Sequence, residues 1–289
     1  MRFLSWGLFS LALLPLASAD AIDLLPGEGQ APPPGLNYFQ LIHQQSERGD
    51  LYRHGQKLRS DTRISAAQTQ VRLGHAFTIG KQPAYLCLQA PLDVRIVPKG
   101  ALSGAGSVAG AGDLTAYLAY WPYANRQTQS YFGVVGYVTA PTGAYDRNRS
   151  LNPGSNRWSG DLQIGYQQPV LDRLTLMLVA DVLWSGKNND YGRASDTLQQ
   201  GAIYATQTSL RYDFNPAYSL GISYLVNAGG KTTVNGVERD DRLQVYRYQV
   251  VGSATYSFGK IVVQYGGDLE TSTGYFENSR WLVRYIRTF

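Results

Sequence analysis

The chain of 289 residues holds three histidines, His43, His54 and His75, and a hydrolase would need one of them placed to take the proton of a serine nucleophile. None falls in a G-x-S-x-G elbow or an H-E-x-x-H metal pair. His54-Gly55 is followed by glutamine and His75 is preceded by Gly74, so neither neighbours a serine. The run GAGSVA, from Gly104 to Ala109, fits the dinucleotide pattern G-x-G-x-x-A. That chemistry needs a helix N-terminus to hold the pyrophosphate, and the next segment, DLTAYLAYWP, reads as a strand. No catalytic residue, metal ligand or cofactor site is expected. The charges that repeat in steps of two are more informative: Arg211, Arg247, Arg280 and Arg284, with Asp161, Asp181 and Asp213. Four residues of extended chain put Arg280 and Arg284 on one face, ~13 Å apart.

Those steps belong to strands. In LTLMLVADVLW, Leu174, Leu176, Leu178, Ala180, Val182 and Trp184 form an unbroken apolar face, with Asp181 opposite. In YSLGISYLVNA, Tyr218, Leu220, Ile222, Tyr224 and Val226 alternate with Ser219, Gly221, Ser223 and Asn227. This period of two recurs at 36–46, 63–77, 83–97, 113–122, 130–140, 159–168, 174–185, 202–213, 217–227, 242–257, 261–270 and 279–289. Many segments reach the ~9–11 residues that a tilted strand needs to cross a bilayer. Aromatics gather at their ends, as in Tyr120-Trp121, Trp184 and Phe258, where interfacial girdles would lie. Short links alternate with long polar loops. The pattern predicts an all-β fold, a transmembrane antiparallel up-and-down β-barrel of about 12 strands. Ten or fourteen remain open, because the first two strands alternate poorly. An even count puts both termini in the periplasm.

Export fits the start of the chain. MRFLSWGLFSLALLPLASAD has a basic residue, an apolar stretch and an A-x-A site, which predicts a signal peptide over 1–19 cleaved after Ala19. A proline-rich periplasmic leader follows over 20–35, able to occlude the barrel mouth, and the barrel occupies 36–289. One cysteine, Cys87, excludes an intramolecular disulfide. A net charge of +5 is too small to imply nucleic acid. The 21 tyrosines, 31 glycines and 16% charged residues suit strands and turns.

The inward arginines and aspartates have two uses. They either pair and close the lumen, or line a pore whose basic excess favours anions, organic carboxylates included. Inward tyrosines such as Tyr85 and Tyr117 would stack on aromatic solutes. The long loop APTGAYDRNRSLNPGSNRW carries Asp146, Arg147, Arg149, Asn156 and Arg157. Folded inward it would constrict and charge the pore; splayed out it would meet the anionic membrane surface.

GAGDLT (Gly110 to Thr115), YVTAPTGAYD (Tyr137 to Asp146) and the LNPGSNRW that follows resemble the outer-membrane barrel family of the meta-pathway of phenol degradation. The resemblance implies an exported Gram-negative barrel that passes small organic molecules, with no catalytic residues to carry over. The expectation is a monomeric channel in the lipid bilayer for passive uptake of small organic solutes, aromatic or anionic among them. The alternative is a non-conducting structural or surface-interaction barrel.

Overall fold

The computed structural model describes residues 23–289. The signal segment 1–19 lies outside the described residues. Twelve long strands run antiparallel to their neighbours: β1 Asn37–Arg53, β2 Thr62–Ile79, β3 Gln82–Gly100, β4 Leu114–Asn125, β5 Ser130–Ala140, β6 Ser159–Leu171, β7 Leu174–Ser185, β8 Ile203–Asp213, β9 Tyr218–Gly229, β10 Leu243–Tyr256, β11 Gly259–Thr271 and β12 Gly274–Thr288. Each pairs with the next in sequence, and β12 returns to β1 with Tyr38 opposite Thr288 and Ile42 opposite Arg284. The Asn37 amide donates to Phe289 O at 2.9 Å and the Phe289 amide to Asn37 O at 3.1 Å, so the seam is sealed to the last residue. Closure leaves no edge for the ladder to expose.

The period of two sorts the wall. On β7, Met177 and Val179 are buried inward while Leu178 and Trp184 stand outward with 42% and 49% of their surface exposed. On β12, Trp281 and Val283 point out and Arg280, Leu282 and Arg284 point in. Large apolar side chains on the outside and polar ones within are what a bilayer around a wet interior selects.

The two ends differ. One carries both barrel termini and tight turns at 80–81, 126–129, 172–173, 214–217 and 257–258. Asn125 and Asn215 shape two of these turns, each side-chain oxygen accepting two backbone amides ahead of it at 2.9–3.0 Å. The other end carries the long connections, including 101–113, 141–158, 186–202 and 230–242. Short strands Asn188–Tyr191, Asp196–Gln200, Thr232–Val234 and Val237–Glu238 form a second, four-stranded sheet there.

Candidate solute pathway in the barrel lumen

Residues 23–32 of the leader lie within the barrel, and Pro33, Pro34 and Gly35 are exposed at its mouth. The Leu24 amide donates to Gln207 Oε1 at 3.1 Å, and Leu24 O accepts from Gln207 Nε2 at 2.6 Å and Gln249 Nε2 at 3.2 Å. From the facing wall, Trp121 Nε1 donates to Gly29 O at 2.9 Å and Arg126 Nη2 to Pro32 O at 3.0 Å. Partners on β4, β8 and β10, together with the Arg126 turn, can surround one segment only from inside the ring. Leu25 packs against Val251 and Val262, and Ala31 is fully buried. Gly27, at φ +96°, passes so close to β8 that a Cβ would meet Arg211 Nη1 at 2.4 Å. The segment lacks periodicity because it forms neither helix nor strand, and inward glutamines satisfy its backbone instead.

The inward charges converge on this segment. Arg284 pairs with Glu28, whose other oxygen accepts the Leu25 amide at 2.7 Å. Arg280 engages Glu277 through Nη2 at 2.8 Å and reaches Asp23 at 3.5 Å; Arg247 approaches the same Asp23 oxygen at 3.9 Å. Burial pushes the Glu28 carboxyl up, but the charges of Arg284 and Arg72 outweigh it and hold the group below the ordinary carboxylate range. Arg211 and Asp213 form a separate pair near the terminal end, with Nε to Oδ1 at 2.9 Å. Asp181 accepts from Gln163 Nε2 at 3.1 Å, and Gln163 Oε1 accepts from the Tyr137 hydroxyl at 3.1 Å. Asp161 is buried opposite Tyr137 in the ladder. The structure thus brings Arg247, Arg280 and Arg284 together around the leader, and leaves the other four on the β6–β8 wall. Asp23, Glu28 and Glu277, which complete the network, carry no periodic signal that marks them as partners.

Space remains beside the leader. A cavity of about 610 Å³ opens at the terminal end, and a second of about 180 Å³ lies deeper toward the long loops. Arg72 borders both. One wall of the larger cavity is a run of rings: Tyr38–Tyr85 with centroids 5.4 Å apart, Tyr85–Tyr117 at 5.9 Å and Tyr117–Tyr137 at 4.9 Å. Gly74 makes the run possible, since a Cβ there would lie 2.0 Å from the Tyr85 hydroxyl oxygen. None of the three histidines borders either cavity. His43 and His75 are exposed on the outward faces of β1 and β2, and His54 pairs with Asp240 at 2.7 Å among the loops.

At the other end, the three stretches that carried the family resemblance meet at one carboxylate. Asp113 accepts the Gly143 amide at 2.8 Å on one oxygen, and the Ser155 amide at 2.8 Å and hydroxyl at 2.6 Å on the other. Gly143 and Gly154 cross backbone to backbone, where a Cβ on the first would lie 2.8 Å from Cα of the second. So held, the loop 141–158 folds over the barrel end and buries Leu151 against Ile64, Val94, Ile96 and Val108. Its arginines do not share that task. Arg157 is buried and donates to Gln200 Oε1 at 2.6 Å, and Asn156 Nδ2 donates to Asn188 Oδ1 at 3.0 Å. Arg147 stays half exposed on Asp190 at 2.9 Å, and Arg149 on Asp146 at 3.4 Å. The side chain of the loop that packs on the barrel wall is a leucine, and the contact is apolar.

A closed twelve-stranded barrel, apolar outside and polar within, with tight turns at one end and long loops at the other, defines an outer-membrane β-barrel of the channel class. The chain belongs to the family described as "Putative MetA-pathway of phenol degradation", which matches residues 59–283. An outer membrane channel from Pseudomonas putida F1 is 30% identical, with a TM-score of 0.87 over 92% of this chain and 100% of that one. The β-domain of the Bordetella autotransporter BrkA is 10% identical over 87% of this chain and 99% of that one, at a TM-score of 0.52. A KdgM porin in complex with disordered oligogalacturonate is 11% identical over 87% and 99%, at 0.50. The last two share the fold alone. No curated protein matches the chain in sequence.

Proposed function

We propose that the protein is a monomeric channel for passive uptake of small organic solutes, with its turns and termini in the periplasm and its long loops outside the cell. The observation that carries this is the pair of cavities beside the leader, with Arg72 on the lining of both and rings as well as amides on the walls. The likeness to the Pseudomonas putida channel supports the same reading. Solutes move past the leader or displace it. Swelling of liposomes in small aromatic acids, with the full mature chain, tests the proposal. Uptake by the intact chain supports it, and a folded intact chain that admits nothing refutes it.

One observation favours the non-conducting alternative. Arg280 and Arg284 are each held by carboxylates, from the leader or from Glu277, as in a lumen built to stay shut. The leader-deleted chain separates the two, because a purely structural barrel would gain a hole without gaining selectivity.

A further inference from the structure

The inward charges of the leader network have partners, and Arg72 stands apart from them. Among the described residues no carboxylate lies within ion-pair distance of its guanidinium, and its Nε is buried with no acceptor. Glu28, which faces the same space, is already engaged by Arg284 and the Leu25 amide. Two positions along the inner face of β2, Gly74 seats the tip of Tyr85. That hydroxyl is also buried without a hydrogen-bond acceptor, with only the weakly accepting thiol of Cys87 beside it. Residues two apart on a strand lie ~6.8 Å apart along it, so Arg72 and the Gly74 seat of Tyr85 are neighbours on one inner face.

Arg72 and Tyr85 line the larger cavity, as do Tyr117 and Tyr137. Its volume of about 610 Å³ falls in the ~300–1,000 Å³ range of small-molecule sites. Lys260 and Arg287 lie on the same cavity near its open end, and Glu28 is the one carboxylate on its lining. Arg72 and Arg284 share the one carboxylate of Glu28, which is in contact only with Arg284, and a planar anion that supplies two acceptor oxygens to Arg72 answers the second positive charge. A neutral ring would gain the stacking and leave the charge unanswered. A small aliphatic anion would answer the charge and leave the rings bare.

Resting on the channel reading above, we infer that the cavity is a binding site for monoaromatic carboxylates. The carboxylate lies against the Arg72 guanidinium where that residue lines the cavity, and the ring lies along Tyr117 and Tyr137. The site is built on a residue of the second strand, not on Arg211, Arg247, Arg280 or Arg284 of the basic wall.

The test is calorimetric titration of the mature chain in lipid nanodiscs with benzoate, benzamide and acetate. Benzoate binds most tightly of the three. Arg72→Gln weakens benzoate by about tenfold or more, the loss of one charge-assisted contact, and leaves benzamide unchanged. Tyr85→Phe weakens benzoate by a smaller factor. Benzamide or acetate binding as tightly as benzoate overturns the proposal with no variant required, as does an Arg72→Gln chain that keeps full benzoate affinity. Should Arg72→Gln fail to fold, Arg72→Lys keeps the charge and loses the fork, and unchanged benzoate affinity there refutes the bidentate site. Vesicle uptake is read separately: binding without uptake sinks the channel, and uptake without Arg72-dependent binding sinks the site.

Discussion

The leader and the loop 141–158 obstruct the same lumen from opposite ends by different means. The loop is covalently anchored on both sides, and its clasp is a buried carboxylate holding two backbone amides and a hydroxyl. The leader continues into β1 and, among the described residues, rests on glutamine contacts and on ion pairs through Asp23 and Glu28. Buried hydrogen bonds to a carboxylate persist in salt, whereas ion pairs in a wet lumen compete with dissolved ions. The comparison teaches that the loop is the more firmly held of the two, and on the proposed function the leader is the part to move.

The largest effect expected is on conductance. Removing residues 23–33 raises single-channel current several-fold in planar bilayers, while deleting Asp146 to Asn152 changes it less; the reverse order breaks the distinction. Next comes Asp113→Ala, which leaves three donors without their acceptor and costs the loop about 3 kcal/mol. Faster proteolysis within 141–158, in a barrel that still migrates as folded on unheated gels, is the expected readout. Glu28→Gln follows, weakening leader docking by about 1–2 kcal/mol once the water in the lumen is allowed for. More frequent opening in high salt would mark it. Acid should act on the same contact. Because the docked Glu28 carboxyl is held below its free value, its contribution is complete above the free value of about 4.3 and is lost as pH falls through the lowered one. Current recorded from pH 7 down to 3 rises in the wild type and stays flat in Glu28→Gln. The smallest effect belongs to Arg147→Ala, an exposed pair with Asp190 worth under about 0.5 kcal/mol. Thermal melting should show almost no shift.

The barrel was legible because its outward face is continuously apolar. The outward faces of β7 and β9 are apolar without a break, and a one-residue slip would turn Leu174, Leu176, Leu178 and Leu220 inward. β1 and β2 were hard to place because their inward positions hold Gln40, Gln70, Arg72 and Gly74 while their outward ones include His43 and His75, so polarity does not separate the faces. Arg72 escaped notice for the same reason. The leader's course was illegible on other grounds: its contacts reach Gln207 and Gln249, 183 and 225 residues away, and no local period encodes them. Asp113, Gly143 and Ser155 all stood inside recognisable stretches, yet they are 30 and 42 residues apart, and only the closed fold shows that they are one contact. The arginine-rich look of 141–158 drew attention from Leu151, the residue that fills the opening.

The indole of Trp121 has a use beyond packing. It faces the lumen and donates to Gly29 of the leader, whereas Trp158, Trp184 and Trp281 stand on the outer surface with about half their area exposed. Quenchers confined to lipid will silence those three, and a water-soluble quencher admitted to the lumen will find Trp121. Departure of the leader exposes that ring to water and shifts its emission to the red. The barrel therefore carries a built-in optical gauge of its own gate, readable without a label.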